Sequence, residues 1–285
     1  MVKDCPVWIG ANNVTVNGFT TQNSGNTWYH DSGVHIGWFD YSSLRDCKVF
    51  GNNIINNYDG IYALFPEYHY IGSNNIENNR NIGVYLHGSG SRGRVEIDNN
   101  SIKENSNCGI YIQDPDDNII SKNTIINNGE AGLLISTFGN HIFKNKIINH
   151  RYGIKISAGN FVESNSIEEN KFGIFVLNGR NKIAKNNFIR NDQHAYFELF
   201  KPLRVYKNRW IQNFWEGHHL GPKIIKGMVQ IFFASYFIIG IFAIFYILEM
   251  IDENSIIWKC LELIRPRFIS TMNFDWHPAK EPYII

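Results

Sequence analysis

The sequence has few cysteines and methionines and almost no net charge. Its 285 residues include only 4 Cys, 4 Met and 8 Pro, and the formal net charge is +1. Cys5, Cys47, Cys108 and Cys260 lie far apart and form no Cys-x-x-Cys pair, which argues against a zinc site or a dense disulfide framework. A near-neutral chain has no overall field that attracts polyanions, so the composition disfavours a nucleic-acid partner.

The N-terminus lacks the pattern of an export signal. Met1 is not followed by a basic stretch, an apolar stretch and a small-residue cleavage site. The chain begins instead within a repeat, at Val7-Trp8-Ile9. Because an uncapped solenoid end exposes strand edges and an apolar core, we expect a cap, and with it an export signal, upstream of Met1.

What the sequence does have is a repeat with two parts. The first part is Asn-x-Ile-x-x-Asn, which starts at Asn52, Asn74, Asn100, Asn123, Asn145, Asn165 and Asn186, with steps of 22, 26, 23, 22, 20 and 21 residues. The unit from Asn145 ends in His150, the unit from Asn186 has Phe188 in place of Ile, and a relaxed first copy starts at Asn17. Ladders of buried asparagines, each bonded to the next repeat, would explain this spacing.

The second part is a Gly-apolar-outward triplet that follows each asparagine unit. It runs from Gly33-Val34-His35 through Gly60-Ile61-Tyr62 to Gly173-Ile174-Phe175, and Ala195-Tyr196-Phe197 closes the series. About 22 residues hold three short strands and their turns but not two helices. The sequence therefore predicts an all-β, right-handed parallel β-helix of about eight rungs over residues 1–208. A disordered Asn-rich tract would not keep the two parts in phase.

These repeats resemble the parallel β-helix repeats of NosD-like proteins and of carbohydrate-binding and sugar-hydrolase proteins, over residues 7–198. The ending Asn273-Phe274-Asp275-Trp276-His277-Pro278-Ala279, with Glu281-Pro282-Tyr283, is similar to the C-terminal signature of a microbial, largely archaeal, group of surface β-helix proteins. The resemblance implies a cell-surface or extracytoplasmic location. The NosD name also implies copper-site maturation, but scarce Met and dispersed His, apart from His218-His219, disfavour a copper role.

A long apolar segment interrupts the C-terminal part of the chain. Residues 228–248 contain no Asp, Glu, Lys or Arg, and as a helix they would span about 31 Å, close to the thickness of a bilayer core. We therefore predict a cap or linker over 209–227, a transmembrane helix over 228–250, and an amphipathic segment with the tail over 251–285. The alternative is a buried helix that covers the open end of the solenoid.

The outward positions of the Gly-Ile-Tyr strands predict an aromatic strip. His35, Tyr62, Tyr85 and Tyr111 should lie one above another, with His87 and Gln113 beside them and loops that carry Trp28 and Trp38 at one end. Aromatic rings with nearby hydroxyl and amide groups suit sugar rings. We therefore predict polysaccharide binding without catalysis by a membrane-tethered surface protein. A purely structural stack, in an envelope spacer that binds no ligand, is the alternative.

Acidic and basic loop residues provide weaker catalytic candidates. Asp114, Asp116 and Asp117 form one cluster that could bind Ca²⁺ or supply the acid and base of glycoside hydrolysis. Arg92 and Arg94 could face an acidic sugar, as a polysaccharide lyase requires. The blander interpretation is a solvated turn, since Asp and Pro are common turn residues. The Asn-Thr-Asp, Gly-His-Gly and Arg-Ile-Lys elements of polygalacturonases are absent from the sequence, which counts against that activity, and we predict no metal or other cofactor.

Overall fold

Three short strands per repeat wind into a parallel β-helix. The computed structural model describes residues 5–26, 31–38, 42–88, 93–199, 208–218, 223–229, 273–275 and 277–285. Its strands are numbered β1 to β29 in chain order and repeat in groups of three. Each strand from β1 to β26 pairs in parallel with the strand three positions later. Within the described residues β1–β27 form nine coils, which confirms the predicted parallel β-helix of about eight rungs.

Each repeat contributes one strand to each of three sheets. The first sheet contains β1 Val7–Ile9, β4 Ser32–Ile36, β7 Asp59–Leu64, β10 Val84–His87, β13 Cys108–Ile112, β16 Ala131–Ile135, β19 Tyr152–Ile156, β22 Phe172–Leu177, β25 Gln193–Leu199 and β28 Lys223–Val229. The second sheet contains β2 Thr15–Asn17, β5 Lys48–Phe50, β8 Tyr70–Gly72, β11 Glu96–Asp98, β14 Ile119–Ser121, β17 His141–Phe143, β20 Phe161–Glu163, β23 Lys182–Ala184 and β26 Arg209–Ile211. The third sheet contains β3 Thr20–Gln22, β6 Asn53–Ile55, β9 Asn75–Glu77, β12 Ser101–Lys103, β15 Thr124–Ile126, β18 Lys146–Ile148, β21 Ser166–Glu168, β24 Asn187–Ile189 and β27 Phe214–Trp215.

The core is a set of apolar columns in which like residues meet one coil apart. In the third sheet Ile102 pairs with Ile125 and Ile125 with Ile147, and each side chain is fully buried. Phe188 and Trp215 continue this column, and their rings stack with centroids 4.3 Å apart. Branched residues fit such half-buried pleated surfaces well, which is why Ile recurs at the centre of each asparagine unit.

Buried asparagines form ladders that run along the solenoid at its corners. In the first ladder the backbone N–H and the Nδ2 of Asn100 both donate to Oδ1 of Asn123, at 2.9 and 3.0 Å. The first ladder comprises Asn52, Asn74, Asn100, Asn123, Asn145, Asn165, Asn186 and Asn213, and the second comprises Asn57, Asn79, Asn105, Asn128, His150, Asn170 and Asn191. Each buried amide thus has partners on both sides, as buried polar groups require.

A third ladder, which the sequence pattern did not reveal, lies between the first and second sheets. It comprises Asn118, Asn140, Asn160, Asn181 and Asn208. In the three preceding coils the equivalent positions, immediately before β5, β8 and β11, are occupied by Cys47, His69 and Val95. The third ladder therefore exists only in the C-terminal part of the solenoid.

Two predicted alignments at the ends of the repeat are wrong. Asn17 pairs with Phe50, and it is the backbone N–H of Phe19 that donates to Oδ1 of Asn52, so the first coil enters the ladder two residues later than expected. At the other end Ala195 pairs with Ile174, an inward position, and therefore does not take the place of the glycine. The first coil lacks the ladder asparagine, and the coil of β25 lacks the glycine, by which the register of the other coils is recognised.

The tight corner that recurs in each coil explains the glycine at the start of most first-sheet strands. A Cβ on Gly83 would lie 2.6 Å from the carbonyl oxygen of Gly109 and 3.0 Å from Nδ2 of Asn105. Close approach, and not a positive φ, therefore excludes a side chain here. Positive φ angles occur instead just before the second ladder, for example at Asn78 and Asn127, since asparagine tolerates this region better than most residues.

The tail returns to the last coil. β28 pairs with β25 in parallel and, antiparallel, with β29 Asn273–Asp275. Asp275 is fully buried and ends the first ladder, because its Oδ2 accepts from the backbone N–H of Asn213 at 2.7 Å and from its Nδ2 at 2.9 Å. The N–H of Tyr283 donates to Oδ1 of Asn187 at 2.8 Å. Both flanks of residues 230–272 are therefore attached to the same end of the solenoid.

The predicted membrane helix falls almost entirely outside the described residues. Met228 and Val229, its first two residues, belong to β28, so any helix begins after them. Residues 230–250 and the predicted amphipathic segment up to 272 lie beyond the part of the chain that the structure describes. Within that part no helix is long and apolar enough to cross a bilayer.

Candidate functional site on the outer face of the first sheet

The outward residues of the first sheet align as the sequence predicted. His35 pairs with Tyr62, Tyr62 with Tyr85 and Tyr85 with Tyr111. We call the part of this series from β4 to β22 the outer column; it comprises His35, Tyr62, Tyr85, Tyr111, Leu134, Lys155 and Phe175. The alignment follows from the ladders and the core columns, which fix the register of every coil and hence the face on which each side chain lies.

The first four residues of the outer column differ in their exposure to solvent. His35 is 0% exposed and Tyr62 is 2% exposed, whereas Tyr85 and Tyr111 are partly exposed. A ligand on this surface can therefore touch Tyr85 and Tyr111 directly, while His35 and Tyr62 lie beneath the surface and support it. Whether any of these residues binds a ligand stays a prediction.

The tyrosine rings stack on each other along the solenoid. The rings of Tyr85 and Tyr111 are nearly parallel, with centroids 5.0 Å apart and an interplanar angle of 4°. His87 stacks on Tyr85 with centroids 5.5 Å apart and an angle of 5°. Because stacking on Tyr111 and His87 covers part of the Tyr85 ring, we expect a sugar to meet mainly its edge and its hydroxyl group. The contact mode thus differs from the face-on packing that an isolated aromatic ring would offer.

A row of polar groups runs beside the stack. The hydroxyl of Tyr62 lies 3.0 Å from Nδ1 of His87, and Nε2 of His87 lies 3.5 Å from Oδ2 of Asp114. The hydroxyl of Tyr85 donates to Oε1 of Gln113. His87, Gln113 and Asp114 are all partly exposed. We call Tyr85, Tyr111, His87, Gln113 and Asp114 the tyrosine patch; it combines ring edges, an amide, an imidazole and a carboxylate within two adjacent coils.

The two phenols of the tyrosine patch stay neutral. Burial raises the pKa of Tyr85 above its ordinary value, and the neighbouring Tyr62 and Tyr111 raise it further. Burial likewise raises the pKa of Tyr111, although a hydrogen bond with Ser136 opposes the shift. Protonated hydroxyls can both donate and accept hydrogen bonds, which suits a partner that is itself rich in hydroxyl groups.

The acidic loop does not act as one cluster. Asp114 faces His87, but Oδ1 of Asp116 accepts from the backbone N–H of Phe138 at 3.0 Å, and Asp117 is exposed. Among the described residues no three His, Cys, Asp or Glu side chains converge as metal ligands. Asp116 thus serves as a turn residue, while a calcium site or a catalytic role for Asp114, Asp116 or Asp117 stays a prediction.

The remaining candidates lie elsewhere. Trp38 packs edge-to-face on Trp8 with centroids 4.2 Å apart, and its Nε1 donates to the carbonyl of Gly10 at 2.8 Å, so it joins the first two coils. Arg94 contacts Tyr68, with its guanidinium carbon 5.7 Å from the ring centroid. Trp28 and Arg92 lie outside the described residues.

This face continues in an apolar cluster, of which the sequence predicted only the outward position of Phe175. Tyr152 lies on the outside of β19 and packs on Phe172 and Phe175, with centroids 5.3 and 5.2 Å apart. Tyr196 extends the cluster, 5.2 Å from Phe175. Tyr152 and Phe172 could have been found from the sequence, because each stands one residue before the glycine of its repeat, where earlier repeats carry smaller residues. We call Tyr152, Phe172, Phe175 and Tyr196 the aromatic cluster.

Comparisons with known proteins agree with this architecture. The sequence profile of a family described as periplasmic copper-binding protein (NosD) matches residues 10–226. Among curated proteins, none matches the chain in sequence. A periplasmic alginate epimerase structure superposes with a TM-score of 0.55 and 16% identity, over 79% of this chain and 61% of that one.

A second solved structure gives the same result. The A-module of a mannuronan C-5 epimerase from Azotobacter vinelandii superposes with a TM-score of 0.50 and 13% identity, again over 79% of this chain and 61% of that one. At these identities the likeness is one of fold. This chain also spans only about three fifths of the length of either structure.

Proposed function

Because this chain belongs to the NosD family, we propose that it is an extracytoplasmic β-helix protein that binds polysaccharide on the outer face of its first sheet without cleaving it. The family description names a periplasmic protein, and one structural relative is a periplasmic epimerase of the polysaccharide alginate. Both support the location, and the second supports the class of ligand. Fold alone does not carry an activity from one β-helix to another.

The observation that carries the proposal is the composition and alignment of the tyrosine patch. Its members come from the two neighbouring coils of β10 and β13, so equivalent groups form a short row along the solenoid axis, one coil step of about 4.8 Å apart. An extended sugar chain lying along this row would meet a hydroxyl, an amide or an imidazole at each coil, besides the edges of Tyr85 and Tyr111. Partly exposed aromatic and hydrogen-bonding groups in one strip are typical of ligand sites.

Binding without turnover fits the bonding of His87 better than acid–base catalysis. Both ring nitrogens of His87 are engaged within the protein, one by Tyr62 and the other by Asp114. A general base needs a nitrogen within reach of the proton that it removes. Asp114 and Asp116 bond different partners, which favours structural roles over the paired acid and base of glycoside hydrolysis.

The described residues do not fit the copper of the family description. Copper sites are built from Cys, Met and His side chains that converge. Here the thiol of Cys47 donates to the carbonyl of Ala11 at 3.2 Å, and Sγ of Cys5 lies 3.7 Å from Oγ of Ser32. Within the part of the chain that the structure describes, neither thiol belongs to a group of three converging His, Cys, Asp or Glu side chains. The proposed function therefore includes no step at copper.

We also propose attachment to a membrane through the apolar residues 230–248. Because β28 ends at Val229 and β29 begins at Asn273 on the same coil, a segment that enters a bilayer after Val229 must leave it on the same side. If residues 230–248 crossed the bilayer, the chain would have to cross back within 251–272 to reach β29, and those residues include six that are charged. Attachment from one side is therefore favoured over a single-pass anchor. Vesicle flotation that is unchanged when a polar linker replaces 230–272 would contradict this attachment.

Calorimetric titration against a panel of soluble glycans tests the binding function. We expect Tyr111→Ala to weaken binding of the recognised glycan by about tenfold or more, because large aromatic side chains dominate such contacts. Phe161→Ala is the matched control, since this aromatic ring is 47% exposed on the second sheet and its loss should leave the affinity unchanged.

Three results would contradict the proposal. Wild-type protein that binds no glycan would leave the spacer alternative. Equal losses in Tyr111→Ala and Phe161→Ala would remove the site from the first sheet. Release of reducing ends or of unsaturated sugars, abolished in Asp114→Ala, would establish a hydrolase or a lyase instead.

A further inference from the structure

One cation interrupts the outer column just beyond the tyrosine patch. Tyr111 pairs with Leu134 and Leu134 with Lys155, so Lys155 lies two coils from Tyr111 on the same line. Its side chain is partly buried. Nζ of Lys155 lies 4.9 Å from the ring centroid of Tyr152 and 5.8 Å from that of Phe175. The ammonium group thus lies on the aromatic cluster, at the end of the row of polar groups.

This ammonium group has no carboxylate partner within the described residues, in contrast to many of its neighbours. Lys103 pairs with Glu77, Lys122 with Asp98, and Lys182 with Glu163, each within 4 Å. Within the described part of the chain, the rings of Tyr152 and Phe175 are the only groups that make close favourable contacts with the ammonium group of Lys155. A ring face attracts a cation but accepts its N–H groups only weakly, so an ammonium group partly removed from water still gains from an anion.

We infer that the polysaccharide bound on this face is acidic and that Lys155 binds one of its carboxylate groups. This inference rests on the proposed function and names its ligand class as a uronic-acid polymer. A chain that lies along the tyrosine patch and continues past Leu134 brings a sugar substituent to Lys155. A carboxylate there forms a charge-assisted hydrogen bond, which is stronger than a bond between neutral groups. The apolar rings around the ammonium group weaken the competition from water.

The bland alternative is that the lysine only covers the aromatic cluster with its hydrocarbon stem. Long cationic side chains often pack their methylene groups on apolar surface and leave the charge in water. In that case a neutral side chain of similar length would serve equally well. The two interpretations therefore differ in whether the charge of Lys155 affects the choice of ligand.

A matched pair of ligands separates these interpretations. One ligand is an oligouronate recognised by the wild-type protein, and the other is the same oligosaccharide with its carboxyl groups reduced to alcohols. We expect the wild type to bind the oligouronate at least about tenfold more tightly at low salt. Lys155→Gln should abolish this preference, Lys155→Arg should retain it, and 0.5 M salt should reduce it in the wild type.

Lys146→Gln is the control, because Lys146 is an exposed lysine of the third sheet and its loss changes the net charge equally. This variant should keep the full preference. Equal binding of the two ligands by the wild type, or an undiminished preference in Lys155→Gln, would overturn the inference and leave the proposed function standing. If the wild type recognises neutral glycans of the panel but no oligouronate, the inference fails alone, and if it recognises no glycan at all, the proposed function fails as well.

Discussion

Two buried histidines occupy ladder positions in different parts of the solenoid, and their surroundings differ. At His150, Nε2 lies 3.2 Å from Nδ2 of Asn128 and Nδ1 lies 3.1 Å from Oδ1 of Asn170. At His69, Nδ1 accepts from the backbone N–H of Cys47 at 3.1 Å, but the buried Nε2 has no hydrogen-bond partner among the described residues. The residue one coil further is an asparagine in the first case and Val95 in the second.

The difference shows what a ladder requires of each member. A neutral imidazole has one donor and one acceptor nitrogen, so it replaces an asparagine when asparagines lie on both sides. His150 meets this condition and continues the second ladder. His69 does not, because Val95 offers no acceptor to its ring. A ladder is therefore a property of neighbouring coils together and not of one side chain.

Of the changes considered for these two histidines, removal of the imidazole of His150 should lower the free energy of unfolding most. His150→Ala leaves Nδ2 of Asn128 and Oδ1 of Asn170 without their partners and opens a cavity, so we expect a loss of about 3–5 kcal/mol in the free energy of unfolding. His150→Asn should restore most of it. His141→Ala is the control, since this histidine lies on the surface and its ion pair with Glu163 contributes little. Denaturant unfolding measures all three, and equal losses at His150 and His141 would contradict the ladder role.

Acid should weaken the ladder through the same histidine. Burial lowers the pKa of His150 from its ordinary range to about 4. The unfolded chain binds this proton near pH 6.5, so the stabilisation is complete above that pH and is lost as the pH falls towards 4. The full loss is about 3 kcal/mol. The difference in stability between the wild type and His150→Asn, measured from pH 7 to pH 4, isolates this effect.

That difference is informative because other buried groups titrate in the same interval. Burial lowers the pKa of His69 to about 4 and raises that of Asp59 to about 7. Asp59 has the opposite sign: its stabilisation is complete below its ordinary pKa and is lost as the pH rises through 7. Both groups are common to the wild type and to His150→Asn, so they cancel. A difference that stays constant between pH 7 and pH 4 would show that His150 does not titrate as described.

The smallest change in stability is expected at Val95, which occupies a position equivalent to the third ladder but is not an asparagine. Val95→Asn would place an amide between His69 and Asn118, whose Oδ1 already accepts from the backbone N–H of residue 95 at 3.0 Å. We expect the lost apolar burial and the new hydrogen bonds to cancel within about 1 kcal/mol. Val162→Asn, the same change at a fully buried core position, should cost about 3 kcal/mol or more. Equal costs at the two positions would contradict the idea that a ladder stabilises a buried amide.

The fold was predictable because asparagine and isoleucine repeat in phase. The equivalents of Asn123 and Ile125 have the same roles in most coils, and a repeat of about 22 residues is compatible with few other folds. The third ladder was missed since Asn118 and its equivalents precede strands with varied residues and are absent from the early coils. The return of Asp275 to the last coil was not predictable either, because 43 residues separate its strand β29 from β28.

The candidate site was predictable in position but not in environment. Alternation along the strands placed Tyr62, Tyr85 and Tyr111 correctly on one outer face. The burial of Tyr62 and His35 depends on contacts between different coils and loops, which a single repeat does not encode. The stacking of Tyr85 between Tyr111 and His87, with its consequence for how a sugar can make contact, likewise follows only from three-dimensional packing.

A crystal structure of the protein with a bound oligosaccharide tests the central claim most directly. We expect sugar residues along the outer face of the first sheet, bonded to Gln113 and to the hydroxyls of Tyr85 and Tyr111, with the chain direction following the solenoid axis. Sugar bound on the second sheet, around the exposed ring of Phe161, with the tyrosine patch left bare, would contradict it.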